Sequence, residues 1–224
     1  MYHILNIMKR AEIALRINEK TIINGNLNIP YTPTALVIFS HGSGSSRFSK
    51  RNAYVAEILN NNGIATLLTD LLTEKEDEIY ENRFNIDLLV NRLIAMTNYV
   101  TQLSDVKYLP VGYFGASTGA ASALIASTDA GSKIGAIVSR GGRPDLAMRS
   151  LPLVKAPTLL IVGSLDSEVI LLNDLALSKL NCEKEMKIVK GASHLFEEPG
   201  KLDEVAQLAL KWFDKYLVLN YKTV

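Results

Sequence analysis

An α/β fold, with a mostly parallel central sheet and helices on both faces, is predicted by three observations. Continuous runs rich in Val, Ile and Leu recur from residue 35 onward, segments of helical periodicity separate them, and a short region of strict apolar/polar alternation precedes them. Runs apolar at every position suit strands covered on both faces, and their alternation with helices suits parallel crossover connections.

In chain order, "AEIALRI" and "TIINGNLNIP" alternate around Asn24-Gly25-Asn26, so residues 11–29 are predicted as an antiparallel hairpin or meander turning at that tripeptide. It supplies antiparallel N-terminal strands to the sheet. The opening "MYHILNIMKRAEIALRI" carries its basic pair after a short apolar stretch, with no cleavage-type sequence following. It reads as a strand or short helix lying on the domain, with His3 in a tail. The buried strands are predicted at "ALVIFS" (35–40), "IATLLTDLL" (64–72), "LPVGYFG" (109–115), "IGAIVSR" (134–140), "APTLLIVGS" (156–164) and "EMKIVKGA" (185–192). Helices are predicted at 52–63, where Gly63 is the stop signal, at 83–103, from 119 onward and at 202–217. The charged "TEKEDEIYENR" (73–83) reads as a solvated loop or an exposed helix start.

The 224 residues, 48% apolar and 21% charged, make one domain spanning 1–224 the expected organisation, with no internal repeat or linker. Lys plus Arg (24) and Asp plus Glu (23) nearly cancel, so nothing in the overall charge favours nucleic acid or an anionic membrane surface. No run approaches the ~18 apolar residues of a membrane span. Cys182 is the only cysteine, which rules out an internal disulfide and a multi-cysteine metal site and fits a reducing, cytoplasmic compartment. It reads as a small, at least half-buried residue near a helix end.

The chemistry concentrates in "GASTG" (115–119). A Gly-x-Ser-x-Gly match is weak by itself, but this one follows a strand-like run and opens a small-residue helix, the setting of a nucleophile elbow. The bland alternative is a glycine turn with a capping serine. A serine hydroxyl needs a base, and the base needs an orienting group. His194, in "GASHLFEE" after the last strand, is the candidate base. Asp166, directly after the 156–164 strand, is the candidate acid, and Glu168 could substitute for it. The oxyanion requires two preorganised N–H donors. Thr118, next after the nucleophile, offers one; "SHGSGSS" (40–46) offers the other, at Ser43 or in reserve Gly44. His41 reads as a brace for that loop, and Asp70 as a loop-fixing carboxylate. The loop lacks the Lys and Ser/Thr of a phosphate-binding P-loop.

With these residues in order, the chain resembles the α/β-hydrolase superfamily over nearly its whole length. The loop "HGSGSSRFSKRN" and "SRGGRPDLA" (139–147) look most like a dienelactone-hydrolase-related branch. Some members of that branch are fused to a phosphoribosyltransferase domain, which is not expected within residues 1–224. The resemblance implies Ser117 as nucleophile, Asp166 as acid and His194 as base. Dienelactone hydrolases proper carry a cysteine nucleophile, whereas serine stands at the elbow here, so the likeness bears on the fold rather than on the substrate.

Only residues 141–157 join the 134–140 run to the next strand, so no large cap domain is expected, and an open site would favour small or moderately polar esters. Arg47, Arg140 and Arg143 stand near the same sheet edge and suit an anionic group on the substrate. The alternative is that they pair with Asp145, Glu197 or Glu198, or brace loops. The expected activity is that of a serine carboxylesterase using no metal or organic cofactor. Thioester or amide cleavage, acyl transfer, or ligand binding on an inactive hydrolase fold use the same constellation. The expected partner is a small-molecule ester, and the sequence is compatible with a homodimer.

Overall fold

The computed structural model describes residues 9–129, 131 and 133–218. The expected element before Lys9 and the tail residue His3 lie outside them. The elements run β1 (Lys9–Arg16), β2 (Ile22–Ile29), β3 (Ala35–Ser40), α1 (Lys50–Asn61), β4 (Ile64–Thr69), α2 (Glu74–Asp77), α3 (Ile86–Val100), β5 (Val111–Ala116) and α4 (Thr118–Ala126). They continue with β6 (Ile134–Arg140), β7 (Thr158–Gly163), α5 (Ser167–Lys179), β8 (Lys184–Val189) and α6 (Lys201–Phe213). All eight strands form one sheet in the order β1-β2-β4-β3-β5-β6-β7-β8. β1 and β2 pair antiparallel, β2 pairs antiparallel to β4, and every later pairing is parallel.

The strand β3 shows why the apolar runs carry no alternation. Leu36 and Ile38 pack on one face with Leu93, Met96 and Leu124, while Val37 and Phe39 pack on the other with Val55, Leu59 and Phe213. Successive side chains point to opposite faces, and both faces are covered by helices. α3 and α4 cover the first face; α1 and α6 cover the second.

Three expectations change, the simplest being that the last strand, expected to be buried, is an edge strand with Lys187 and Ile188 exposed. The hairpin does not turn at Asn24-Gly25-Asn26: Gly25 pairs with Ile13 on one side and Thr69 on the other, in the middle of β2. The chain reverses at 17–21, where Ile17 N–H donates to Thr21 O at 2.9 Å and Asn18 Oδ1 accepts from Lys20 N–H at 2.9 Å. An Asx-type turn at Asn18 therefore outcompetes the Asn-Gly signal, and the register that puts Ile23 and Leu27 into the core fixes the strand through Gly25. The helix expected at 83–103 begins only at Ile86, because the Asn85 side chain caps it by accepting Leu88 N–H at 3.1 Å. The preceding charged stretch holds the short α2, closed by a Thr73/Glu76 capping box.

The β6–β7 connection contains only 3-10 turns at Pro144–Ala147 and Leu151–Leu153, so no cap domain is inserted there. The C-terminal ends of β3, β5, β6, β7 and β8 thus open onto a common edge, the place where parallel α/β sheets carry their ligands.

Candidate active site

Ser117 sits between the last residue of β5 and the first of α4 with φ 51° and ψ −122°. It is one of only two non-glycine residues with positive φ among the described residues. Such a conformation costs of order 1–3 kcal/mol and persists only where the surroundings enforce it. Three backbone hydrogen bonds do so: Ser117 N–H donates to Arg140 O at 3.2 Å, and Ser117 O accepts from Ala120 N–H and Arg143 N–H, both at 3.0 Å. A side chain at Gly119 would strike the backbone oxygens of Ser40 and His41, so only glycine lets α4 pack against the end of β3. The Ser117 side chain makes no capping hydrogen bond to α4, which sets aside the capping-serine alternative.

Asp166 follows β7 and His194 lies in the loop after β8, as the chain order requires. His194 Nδ1 lies 2.6 Å from Asp166 Oδ2, with Asp166 mostly buried and the histidine about one-third exposed. With Nδ1–H donated to the carboxylate, Nε2 is left as the acceptor. Glu168 lies in the first turn of α5, and it is Asp166 that holds the ring. The histidine loop is itself fixed, since Ser193 N–H donates to Glu198 Oε1 at 3.1 Å; hydrogen bonding from the Ser193 side chain, and then from the backbone of Glu198 and Ser193, holds that carboxyl below its ordinary pKa.

Ser117 and His194 line one cavity of about 260 Å³ together with Ser43, Ser45, Ser49, Arg51, Asn52, Arg140 and Leu195. A side chain on Gly42 would bring its Cβ to 3.0 Å from Ser117 Cβ, so the loop after β3 passes directly over the serine. Ser43 is on this cavity. Gly44 instead lines a small recess with His41, Asp77 and Arg83. The buried His41 ring braces the loop: Nδ1–H donates to Gly42 O at 2.9 Å, and Nε2 accepts Leu71 N–H at 3.1 Å. Burial lowers its pKa, more than the Gly42 bond and the charge of Asp70 raise it, which favours the neutral ring that this pattern needs. A larger concavity of about 580 Å³ lies between α1 and β1–β2, lined by Arg10, Asn26, Phe48 and Asn60 among others, away from Ser117.

The arginines divide. Arg47 is clamped by Asp70, through its backbone N–H at 2.8 Å and a guanidinium ion pair. Arg143 makes a bidentate pair with Asp145 at 2.9 and 2.8 Å, which raises its pKa. Neither lines the serine cavity. Arg140 does, and its neighbour there is Arg51, a residue the sequence reading missed because it falls just before the helix expected at 52–63. Arg140 is 7% exposed and its pKa is lowered to about 10, first by burial and second by the charge of Arg51. Cys182 is half-buried just past α5, and burial raises its thiol pKa. Among the described residues, no helix is long and apolar enough to cross a membrane, and no cluster of three or more His, Cys, Asp or Glu could hold a metal ion.

No family model matches the chain. Two Mycobacterium tuberculosis proteins named "Putative phosphoribosyl transferase" are each 52% identical to it over 195 residues; these are 87% of this chain but 44% of those proteins, so the chain spans less than half the length of these curated relatives. The crystal structure of dienelactone hydrolase from Anabaena variabilis matches with 51% identity and a TM-score of 0.89, covering 94% of this chain and 99% of that one. Est1E from Butyrivibrio proteoclasticus shares the fold at 15% identity, with a TM-score of 0.78 over 91% of this chain and 98% of its own. With its sheet order, its strained strand-to-helix turn and this likeness over nearly the full length of both chains, the protein belongs to the dienelactone hydrolase family of α/β-hydrolases.

Proposed function

We propose that this hydrolase is a serine carboxylesterase that acts through an acyl-enzyme on Ser117. The observation that carries the reading is the strained Ser117 sharing a cavity with a histidine whose far nitrogen is held by Asp166 at 2.6 Å. His194 Nε2 takes the Ser117 proton as Oγ attacks the ester carbonyl, then gives it to the departing alkoxide. In the second half it takes a proton from water, whose hydroxide attacks the acyl carbon; the acid leaves and Ser117 recovers the proton. Asp166 fixes the tautomer and stabilises the imidazolium. Backbone N–H groups of Ser43 and Thr118 receive the oxyanion.

The cavity volume of about 260 Å³ and its polar lining support small or moderately polar substrates over long acyl chains. No metal or organic cofactor enters this cycle. The test is fluorophosphonate labelling combined with a panel of short, long and anionic activated esters, on wild type and Ser117→Ala. Labelling and turnover of short esters that vanish in Ser117→Ala are expected; equal hydrolysis by both proteins refutes the assignment.

A further inference from the structure

We propose that Arg140, Arg51 and the N-terminus of α1 form a subsite for a phosphate group carried by the substrate, beside the ester bond that Ser117 attacks. The role as a substrate subsite rests on the esterase reading; the anion site itself does not.

Arg140 is the starting point because it is buried and, among the described residues, meets no carboxylate. Its one side-chain hydrogen bond is a long one, from Nη2 to Asn52 Oδ1 at 3.4 Å, and its Nε has no partner. Arg47, Arg83, Arg92 and Arg143 each meet a carboxylate, so this fold supplies counterions to its partly buried guanidiniums as a rule. A buried unpaired cation is costly, and its retention in a solvent-connected cavity points to a ligand that completes it.

The surroundings add positive charge instead of removing it. Among the described residues, Arg51 lines the same cavity with its Nε also unpartnered, and the one carboxylate it meets, Glu197 at 2.8 Å from Nη1, is 63% exposed. Both side chains lie at the start of α1, a twelve-residue helix with Lys50, Arg51 and Asn52 in its first turn and no acidic residue there. Helix N-termini carry a partial positive charge that an acidic first turn commonly offsets; here an external anion takes that place. The hydroxyl-bearing Ser43, Ser45 and Ser49 and the amide of Asn52 complete the lining. Two guanidiniums, an amide and three hydroxyls offer more donors than a flat carboxylate with two oxygens accepts, and match a tetrahedral group with three free oxygens.

The probe is inorganic phosphate, titrated by calorimetry into wild type and Ser117→Ala at constant ionic strength, with acetate as the carboxylate comparison. Phosphate is expected to bind both proteins, at least about tenfold more tightly than acetate. Arg140→Gln and Arg51→Gln should each weaken phosphate at least about tenfold, Arg140→Lys should recover part of the loss, and the control Arg149→Gln should change nothing. Arg51 is about one-third exposed, so its variant keeps the test valid should Arg140→Gln fail to fold. With wild type, phosphate should raise KM for p-nitrophenyl acetate and leave kcat unchanged. The proposal is overturned by absent phosphate binding, by acetate binding as tightly, by unchanged affinity in the arginine variants, or by inhibition that does not compete with the ester. If phosphate binding depends on Arg140 while no ester is turned over, the anion site stands and the esterase reading fails.

Discussion

The carboxylate of Asp166 holds His194 from the side of Nδ1 at 2.6 Å, and the two come from loops that follow neighbouring parallel strands, β7 and β8. Their spacing is therefore set by the pairing of Gly163 with Val189 and not by either loop alone. Replacing Asp166 with asparagine preserves size but offers an N–H where the ring needs an acceptor. A fall in kcat of about 10⁴-fold on a short activated ester is expected, the scale of loss when a triad carboxylate becomes an amide. Glu168→Gln, the alternative acid in the sequence, should leave kcat near wild type. Steady-state kinetics of the two variants side by side distinguishes the roles.

The strain at Ser117 gives a prediction about stability. At φ 51° and ψ −122° a Cβ is penalised and glycine is not. Ser117→Gly should therefore be more stable than Ser117→Ala by about 1 kcal/mol, after the greater backbone entropy of glycine in the unfolded chain is allowed for. Urea denaturation at pH 7 measures the difference. Equal stability would mean that the elbow relaxes once the hydroxyl is gone.

His41 should couple the loop after β3 to pH. Its ring must be neutral to accept Leu71 N–H through Nε2, and burial lowers its pKa below the ordinary 6.5. The unfolded chain then binds the proton more readily than the folded one. The stabilising contribution is complete above pH 6.5 and is lost progressively as pH falls from there toward the lowered folded value. In His41→Gln this pH-dependent component should disappear, which stability measurements between pH 5 and 7 on both proteins would show as a flatter profile for the variant.

Much of this arrangement is legible in the sequence because it rests on local signals. Ser117, Asp166 and His194 each follow an apolar run directly, and a parallel sheet brings the C-terminal ends of its strands to one edge whatever the loops contain. The choice of carboxylate for each arginine is different, because it is tertiary. Arg143 is taken up by Asp145, two residues on, and Arg47 by Asp70 at the end of β4, whereas Arg140 at the end of β6 finds neither. Arg51 precedes the helix expected at 52–63, and only the approach of Arg140, at the end of β6, to Asn52 in the first turn of α1 makes that helix start part of the site. The Asn24-Gly25-Asn26 turn failed for a related reason: turn propensity lost to the register that buries Ile23 and Leu27.

Arg140 should cost the protein stability at neutral pH. Its folded pKa, lowered to about 10, lies below that of a free guanidinium, so the unfolded chain binds this proton more tightly. The penalty is full below about pH 10 and is progressively relieved as pH rises above it. Arg140→Met keeps a long apolar stem and removes the charge; replacing buried ionic groups by apolar ones of similar volume is neutral or stabilising by about 1–4 kcal/mol. For a chain of this size the expected gain in Tm is about 2–16 °C at pH 7, and urea denaturation above pH 10 should show the gap narrowing. Added phosphate should act in the opposite sense, raising the Tm of wild type by mass action and leaving the variant unmoved. A variant destabilised at pH 7 would show instead that Arg140 is a packing residue whose charge the fold tolerates.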